Sequence, residues 1–190
     1  MGRWEPDGRG RLARAALELY SERGYEQTTV AEIAKRAGLT ERTFFRHYAD
    51  KREVLFDGSG TLQELFVNAV VDAPEPAAPI DAVAAGLDAV SGMFDGRREH
   101  SRLRQSVIVA NPELQERELI KLASLAAALA EALQRRGVAP PTASLAAEAG
   151  IAVFKVGFER WIAASEECGM PQLMRESLDD LRAVTAGRRD

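Results

Sequence analysis

Two arginines stand four residues apart in the segment TERTFFRHY, and their side chains have the chemistry to read nucleic acid bases. A guanidinium donates two parallel hydrogen bonds, which match the O6 and N7 acceptors of guanine in a major groove. On a helix, Arg42 and Arg46 lie on the side that also carries Thr43, Phe45 and His47. We therefore expect this side to meet DNA.

The stretch 28–51 around these side chains predicts a helix, a tight turn and a second helix. Gly38 permits the backbone reversal, and Thr40 is placed to cap a short helix over residues 41–48. Apolar residues at helical spacing precede the turn, and others after it hold the second helix from inside: Val30, Ile33, Ala34 and Ala37, then Leu39, Phe44 and Tyr48. Two short helices that meet at a glycine indicate a helix-turn-helix.

Three further signals frame this motif. A helix over residues 9–23 should end at Gly24, and Thr29 with Glu32 makes a capping box for the next helix. Asp50 should cap a fourth helix that starts at Lys51 and extends to residue 70. Gly58-Ser59-Gly60 interrupts it, either as a break between two helices or as a hinge that transmits ligand state.

The remaining sequence has helical periodicity without strand alternation. Three prolines make residues 73–79 a loop, and helices are predicted over 80–95, 97–110, 112–136, 142–168 and 171–186. The prediction is an all-α chain of about nine helices with two domains. Residues 1–56 would bind DNA through three helices, and residues 57–190 would form a helical domain for effector binding and dimerisation.

Composition excludes several classes of function. No apolar run of about 18 residues or apolar leader occurs, which favours a soluble, cytoplasmic protein. One cysteine, Cys168, and two distant histidines, His47 and His100, give no disulfide framework and no metal site. The adjacent acids Glu166-Glu167 and Asp179-Asp180 point to different helix faces. We therefore expect neither an enzyme nor a bound cofactor.

Charge is distributed unevenly along the chain. The net charge is −4, but residues 1–56 hold 11 Lys and Arg against 9 Asp and Glu, which leaves 14 against 20 in the rest. The helix-turn-helix thus lies in the basic part. A dimer would add two such patches on one DNA face, while the acidic body stays off the phosphates.

These motifs resemble the TetR family of one-component transcriptional regulators. The resemblance is carried by Gly24-Tyr25, Thr28-Thr29-Val30, Ile33-Ala34, Ala37-Gly38-Leu39-Thr40, Thr43-Phe44-Phe45, Tyr48 and Lys51. It implies a homodimeric repressor that binds a palindromic double-stranded DNA operator and is released by a small hydrophobic effector. The alternative is a helical adaptor that docks protein without sequence-specific DNA binding.

The resemblance also implies roles for single positions. Thr29 and Lys51 match positions that contact phosphates, and Arg42 and Arg46 match the base-reading face. Thr43 would pack its methyl on thymine or bond a phosphate. Phe45 and His47 stand where the family commonly has tyrosines, so Phe45 is expected to meet a thymine methyl or a sugar, and His47 to contact phosphate through its imidazole.

For the helical domain the resemblance implies a ligand pocket and a dimer made by the last two helices. Candidate pocket residues, most of which plain core packing explains better, are Met93, Phe94, Leu103, Val107, Phe154, Phe158 and Trp161. Arg102, Arg104 and Gln105 would meet an acidic headgroup or form a solvated face. Small residues for close helix approach and an apolar seam would make the dimer: Ala146, Ala149, Ala152, Gly157 and Ala164, then Leu173, Ser177, Leu181 and Val184.

Overall fold

The computed structural model describes residues 7–165 and 168–186, so Glu166-Glu167 lie outside it. Nine α-helices and two 3₁₀ turns, with no strand, account for the regular structure of these residues. The all-α prediction is therefore confirmed. The helices are α1 (Gly8–Arg23), α2 (Val30–Arg36), α3 (Glu41–His47), α4 (Ser59–Val71), α5 (Pro79–Ser91), α6 (Arg98–Val109), α7 (Pro112–Arg135), α8 (Pro140–Ala163) and α9 (Met170–Thr185). The 3₁₀ turns are Glu53–Phe56 and Gly92–Phe94.

The chain divides into two compact units. The first comprises the described residues up to Gly58 together with Leu103–Glu118, and the second comprises Ser59–Arg102 and the chain from Leu119 onward. The sequence did not predict that Leu103–Glu118 would join the first unit, because such packing depends on contacts distant in sequence. A functional boundary between residues 56 and 57 stays a prediction.

The first unit has its own apolar core. Leu12 of α1, Ile33 of α2 and Phe44 of α3 are each 0% exposed, and Ile108 and Leu114 join them. Burial of an aliphatic or aromatic side chain of this size contributes about 1.5–3 kcal/mol. Packing against α1 therefore holds two helices of only seven residues each, which are too short to be stable alone.

The predicted fourth helix from Lys51 to residue 70 is wrong in its first part. Only a 3₁₀ turn, Glu53–Phe56, forms there, and the α-helix begins at Ser59. Asp50 still accepts hydrogen bonds from the backbone N–H groups of Arg52 at 2.8 Å and Glu53 at 3.2 Å. Gly58 then adopts φ +89°, a left-handed conformation that no helix continues through. The glycines mark a break, and a hinge role stays a prediction.

In the second unit, α4, α5, α8 and α9 pack together around a separate core. Glycines allow two close approaches: a Cβ on Gly86 would lie 2.2 Å from the Phe66 ring, and one on Gly150 would lie 2.4 Å from Val83. None of the described helices is both long and apolar enough to cross a membrane.

The limits of α8 also differ from the predicted residues 142–168. The helix starts at Pro140, since proline is well suited to a first turn, and ends at Ala163 because Ala164 is extended. Arginines of α6 bind the carbonyl groups around this end. Arg102 Nε donates to Ile162 O at 2.8 Å, and the Arg98 guanidinium donates to the carbonyls of Ser165 and Cys168.

Candidate nucleic-acid interface and effector region

The second helix of the helix-turn-helix, α3, is fixed at both ends. The Thr40 hydroxyl accepts a hydrogen bond from Thr43 N at 3.2 Å, as the sequence predicted, and this kind of cap contributes about 1 kcal/mol. Phe44 and Tyr48 are buried, and the Tyr48 hydroxyl donates to the carbonyl of Arg9 at 3.2 Å. Burial raises the pKa of Tyr48, so the phenol keeps the proton that it donates.

The turn before α3 is held by α1. Arg11 Nη2 donates to the Ala37 carbonyl, and Gly38 follows with φ +66°. A Cβ on Gly38 would lie 2.8 Å from that same nitrogen. Glycine is therefore required both by backbone conformation and by the space that Arg11 occupies.

The outer side of α3 carries the predicted DNA-contacting residues. Arg42, Phe45 and Arg46 are exposed, and Phe45 has 56% of its surface accessible although it is a large apolar side chain. Thr43 and His47 are half-buried at the edges of this side. The structure thus brings together five of the seven predicted DNA-contacting residues, and we call this set the α3 face.

The arginines of the α3 face differ from their neighbours in pairing. Among the residues that the structure describes, neither Arg42 nor Arg46 has a hydrogen-bond or ion-pair partner. Arg36 of α2, by contrast, binds Glu22 at 2.8 Å and Glu18 at 3.4 Å. The guanidinium groups of the α3 face are therefore available for a ligand without breaking bonds within the described structure.

Thr29 acts as the predicted cap of α2. Its hydroxyl accepts from Glu32 N at 3.3 Å, and the Glu32 carboxylate accepts from Thr29 N at 2.9 Å. The backbone N–H of Thr29 and then its hydroxyl lower the pKa of Glu32. The capping box is confirmed, while contact between Thr29 and phosphate stays a prediction.

Lys51, for which the family resemblance implied a phosphate contact, is bound to backbone carbonyls within the described structure, and the phosphate contact stays a prediction. Its ammonium donates to the carbonyls of Tyr25 at 2.9 Å and Thr28 at 3.1 Å, and it lies 4.2 Å from the centroid of the Tyr25 ring. Its own carbonyl accepts from the Tyr20 hydroxyl at 2.6 Å. These bonds tie Lys51 to the loop between α1 and α2, and a phosphate would have to compete with them.

The candidate effector residues do not form one group. Phe94, Phe154, Phe158 and Trp161 contact one another in the second unit, with ring centroids 5.7 to 6.2 Å apart, and Met93 precedes Phe94 in its 3₁₀ turn. We call these four rings the aromatic cluster. Leu103 and Val107 pack instead with the core of the first unit, because α6 continues into it.

The polar groups considered for an acidic headgroup are bound within the protein. Arg104 donates to Leu55 O at 2.6 Å and pairs with Glu118 at 3.3 Å, and Gln105 also donates to Glu118. Burial lowers the pKa of Arg104. Arg102 is exposed and donates to Ile162 O near the end of α8. Arg104 and Gln105 are half-buried, and the bonds that all three make within the protein weaken the headgroup interpretation.

The predicted dimer seam is partly occupied by packing within the chain. Leu173 and Ser177 are buried, and a Cβ on Gly157 would lie 2.6 Å from Met174 Sδ, so Gly157 serves the α8–α9 contact. Val184 is 82% exposed. Sequence reasoning missed Leu145 and Val156, which are 73% and 48% exposed. With Ala149 and Ala152 they follow the spacing i, i+4, i+7, i+11 of one helix side, a signal present in the sequence.

Comparison with known protein families matches two parts of the chain. The family described as "Bacterial regulatory proteins, tetR family" matches residues 12–57, and the "MftR C-terminal domain" matches residues 77–186. The second match alone covers more than half of the chain. The chain belongs to the TetR family of bacterial regulatory proteins.

Individual relatives of this TetR-family protein are transcriptional regulators. It is 40% identical over 92 residues to the HTH-type regulator TcmR of Streptomyces glaucescens, covering 48% of this chain and 41% of TcmR. It is 30% identical over 127 residues to MftR of Mycobacterium tuberculosis, a regulator named for mycofactocin biosynthesis, covering 66% of this chain and 63% of MftR. The matched parts are thus less than two thirds of either relative.

A solved relative shares the whole fold. FadR of Thermus thermophilus, a TetR-family transcriptional repressor in complex with lauroyl-CoA, is 26% identical with a TM-score of 0.55, covering 96% of this chain and 97% of FadR. In residues 7–165 and 168–186 of the present protein, no three His, Cys, Asp or Glu side chains group in a way that could hold a metal ion.

Proposed function

We propose that this TetR-family protein is a ligand-responsive repressor that binds a palindromic operator as a homodimer. The observation that carries the proposal is the α3 face, where Arg42 and Arg46 are exposed and without partners among the described residues. Unpaired guanidinium groups on an exposed helix bind guanine without first losing an ion pair. The proposed DNA contacts are Thr29, Arg42, Thr43, Phe45, Arg46 and His47.

Lys51 contributes by positioning rather than by direct contact in this proposal. Its ammonium holds the carbonyls of Tyr25 and Thr28 immediately before the capping box of α2. The loop it fixes sets where Thr29 begins α2. We therefore expect Lys51 to affect affinity through the shape of the DNA-binding unit.

The proposed dimer uses the exposed side of α8. Leu145 and Val156 flank Ala149 and Ala152, so two copies of the helix can approach closely and bury large apolar side chains that are otherwise in water. Val184 adds an apolar contact at the end of α9. A two-fold dimer presents two α3 faces to half-sites about 34 Å apart, one turn of DNA.

The proposed effector is small and largely apolar. FadR of Thermus thermophilus, which shares the fold, binds lauroyl-CoA, and the aromatic cluster offers partly exposed rings of Phe94 and Phe158 in the second unit. Release from DNA requires the effector to bind the DNA-incompetent conformation more tightly than the DNA-competent one. Equal affinity for the two conformations would leave their populations unchanged.

Arginine substitutions test the DNA-binding proposal. Arg46→Ala should reduce discrimination between the preferred operator and random DNA by about 1–3 kcal/mol. Arg36→Ala is the matched control, since Arg36 is already paired with Glu18 and Glu22. If Arg46→Ala discriminates as well as wild type, the base-reading assignment is wrong. DNA binding without salt dependence, or none at all, would favour the adaptor alternative.

A further inference from the structure

Arg98 lies at the edge of the aromatic cluster, and one of its three guanidinium nitrogens has no hydrogen-bond partner. Its Cζ is 5.2 Å from the centroid of the Trp161 ring, and its terminal nitrogens donate to the carbonyls of Ser165 and Cys168. The third nitrogen, Nε, carries a single N–H, is buried and has no hydrogen-bond partner. A buried donor without a partner is unfavourable and occurs rarely, so Nε is suited to an acceptor that a ligand supplies.

The charge of Arg98 is also unmatched. Both groups that it binds are neutral carbonyls, and no described carboxylate forms an ion pair with it. Arg102, one turn further along α6, differs in this respect because its Nε is already bound to Ile162 O at 2.8 Å. A guanidinium in this state favours an anionic acceptor, since charge-assisted hydrogen bonds are roughly twice as strong as neutral ones.

Apolar surface lies next to this donor. Trp161 and Phe154 are buried, whereas Phe94 and Phe158 remain partly exposed and contact each other at 5.7 Å. An apolar chain placed on these two rings would bring an attached acidic group toward the Trp161 ring, over which Arg98 lies. The combination of exposed rings and an unused cationic donor fits a molecule with an apolar body and an acidic end.

We propose that the effector is an apolar carboxylic acid whose carboxylate accepts a hydrogen bond from Arg98 Nε. The apolar body lies on Phe94 and Phe158. This inference rests on the proposed function that a small molecule controls DNA binding, and it adds the chemical class of that molecule and the residue that reads it.

The test compares dodecanoate with dodecanol and with methyl dodecanoate at pH 7.5, on the free protein without DNA. Trp4 is replaced by Phe so that Trp161 is the single tryptophan and its emission reports on the site. We expect dodecanoate to bind at least about tenfold more tightly than dodecanol and to change the Trp161 emission. If methyl dodecanoate binds as tightly as the acid, the site recognises the carbonyl group and not the negative charge, and the carboxylate assignment is overturned.

Variants assign the preference to Arg98. Arg98→Met should abolish the preference for acid over alcohol while dodecanol binding persists, and Arg98→Lys should reduce it because the ammonium lacks a nitrogen at the Nε position. Arg102→Met is the matched control, since it also removes a bond from α6 to a backbone carbonyl, that of Ile162, but should keep the preference. Loss of the preference in Arg102→Met, or its survival in both Arg98 variants, would overturn the proposal.

The proposed function can fail separately. If the acid binds at Trp161 but leaves operator binding unchanged, the Arg98 site stands and ligand control of DNA binding does not. If dodecanol releases the operator as effectively as dodecanoate, ligand control stands and the acid-reading role of Arg98 does not.

Discussion

Lys51 Nζ lies 2.9 Å from the carbonyl oxygen of Tyr25 and 4.2 Å from the centroid of the same residue's ring. One side chain thus fixes the loop before α2 both by a hydrogen bond and by a cation–π contact. Because the Thr28 carbonyl accepts from the same ammonium at 3.1 Å, the position is structural in the free protein.

Replacement of Lys51 by methionine should therefore act on stability. We expect Lys51→Met to lower the free energy of unfolding by about 2 kcal/mol, since buried carbonyls lose a charged donor. The dependence of DNA affinity on salt should stay unchanged. Lys35→Met, at an exposed position of α2, is the control for stability. A salt slope reduced by about 1 with unchanged stability would instead show a phosphate contact.

Gly38 should not tolerate a side chain. Gly38→Ala places a Cβ at φ +66° and 2.8 Å from Arg11 Nη2, so we expect a loss of about 1–2 kcal/mol in chemical denaturation, with weaker operator binding. Gly60→Ala is the control, because Gly60 lies in α4 with nothing within 4 Å of its Cβ position. That change should be neutral or stabilise by up to about 1 kcal/mol. Equal stability of the two variants would contradict the strain at Gly38.

The stability of the first unit should fall in acid partly through Asp50. The side chain of Arg52, followed by the backbone N–H groups of Glu53 and Arg52, lowers the pKa of this carboxyl in the folded state. The stabilisation by Asp50 is then fully present above the pKa that this carboxyl has in the unfolded chain. It is lost as the pH falls through the lower pKa that the carboxyl has in the folded protein. Asp50→Asn should reduce the melting temperature at pH 7. The difference in melting temperature from wild type should be smaller at about pH 2–3, as thermal unfolding measured between about pH 7 and 2 would show.

Arg52→Met tests the same contact from the other side, because it removes the largest cause of the lowered pKa of Asp50. It should flatten the acid dependence in the same direction as Asp50→Asn. If both variants follow the wild-type pH profile with a constant offset, the Asp50 contacts do not govern the acid response.

The exposed side of α8 should control assembly. Leu145→Glu, at a position 73% exposed, adds a charge where two copies are proposed to meet, so sedimentation should show dissociation without loss of helix content. Leu119→Glu on α7, at a position 60% exposed, is the matched control and should leave the assembly intact. A dimer that survives Leu145→Glu but not Leu119→Glu would place the interface elsewhere.

Local signals in the sequence predicted the helix ends well. Thr29, Thr40 and Gly24 form the caps expected of them, because caps depend on residues only a few positions apart. The errors arose where distant residues decide the conformation. The end of α8 depends on Arg98 and Arg102, some 60 residues earlier in the chain. The bonds of Lys51 to a loop about 25 residues earlier were equally beyond local signals, while its contact with phosphate stays a prediction.

The predictions of the candidate sites show the same contrast between local signals and contacts between distant residues. Helical periodicity was sufficient to place Arg42 and Arg46 on one exposed side of α3 and Phe44 inside it. Periodicity could not distinguish Leu103 and Val107, which belong to the first unit, from Phe154 and Phe158, because all four look alike as apolar positions on helices. The exposed apolar side of α8, formed by Leu145, Ala149, Ala152 and Val156, has the same spacing in the sequence as the buried side of a helix.

Selection of bound sequences from a random pool of double-stranded DNA tests the central claim most directly. We expect an inverted repeat whose half-sites are centred about 34 Å apart, or a multiple of one DNA turn. Guanines within each half-site should lose their enrichment in the Arg42→Ala and Arg46→Ala variants. Enrichment of a sequence without two-fold symmetry would contradict binding as a two-fold dimer. Enrichment of the same repeat by a protein that carries both Arg42→Ala and Arg46→Ala would contradict base reading by these arginines.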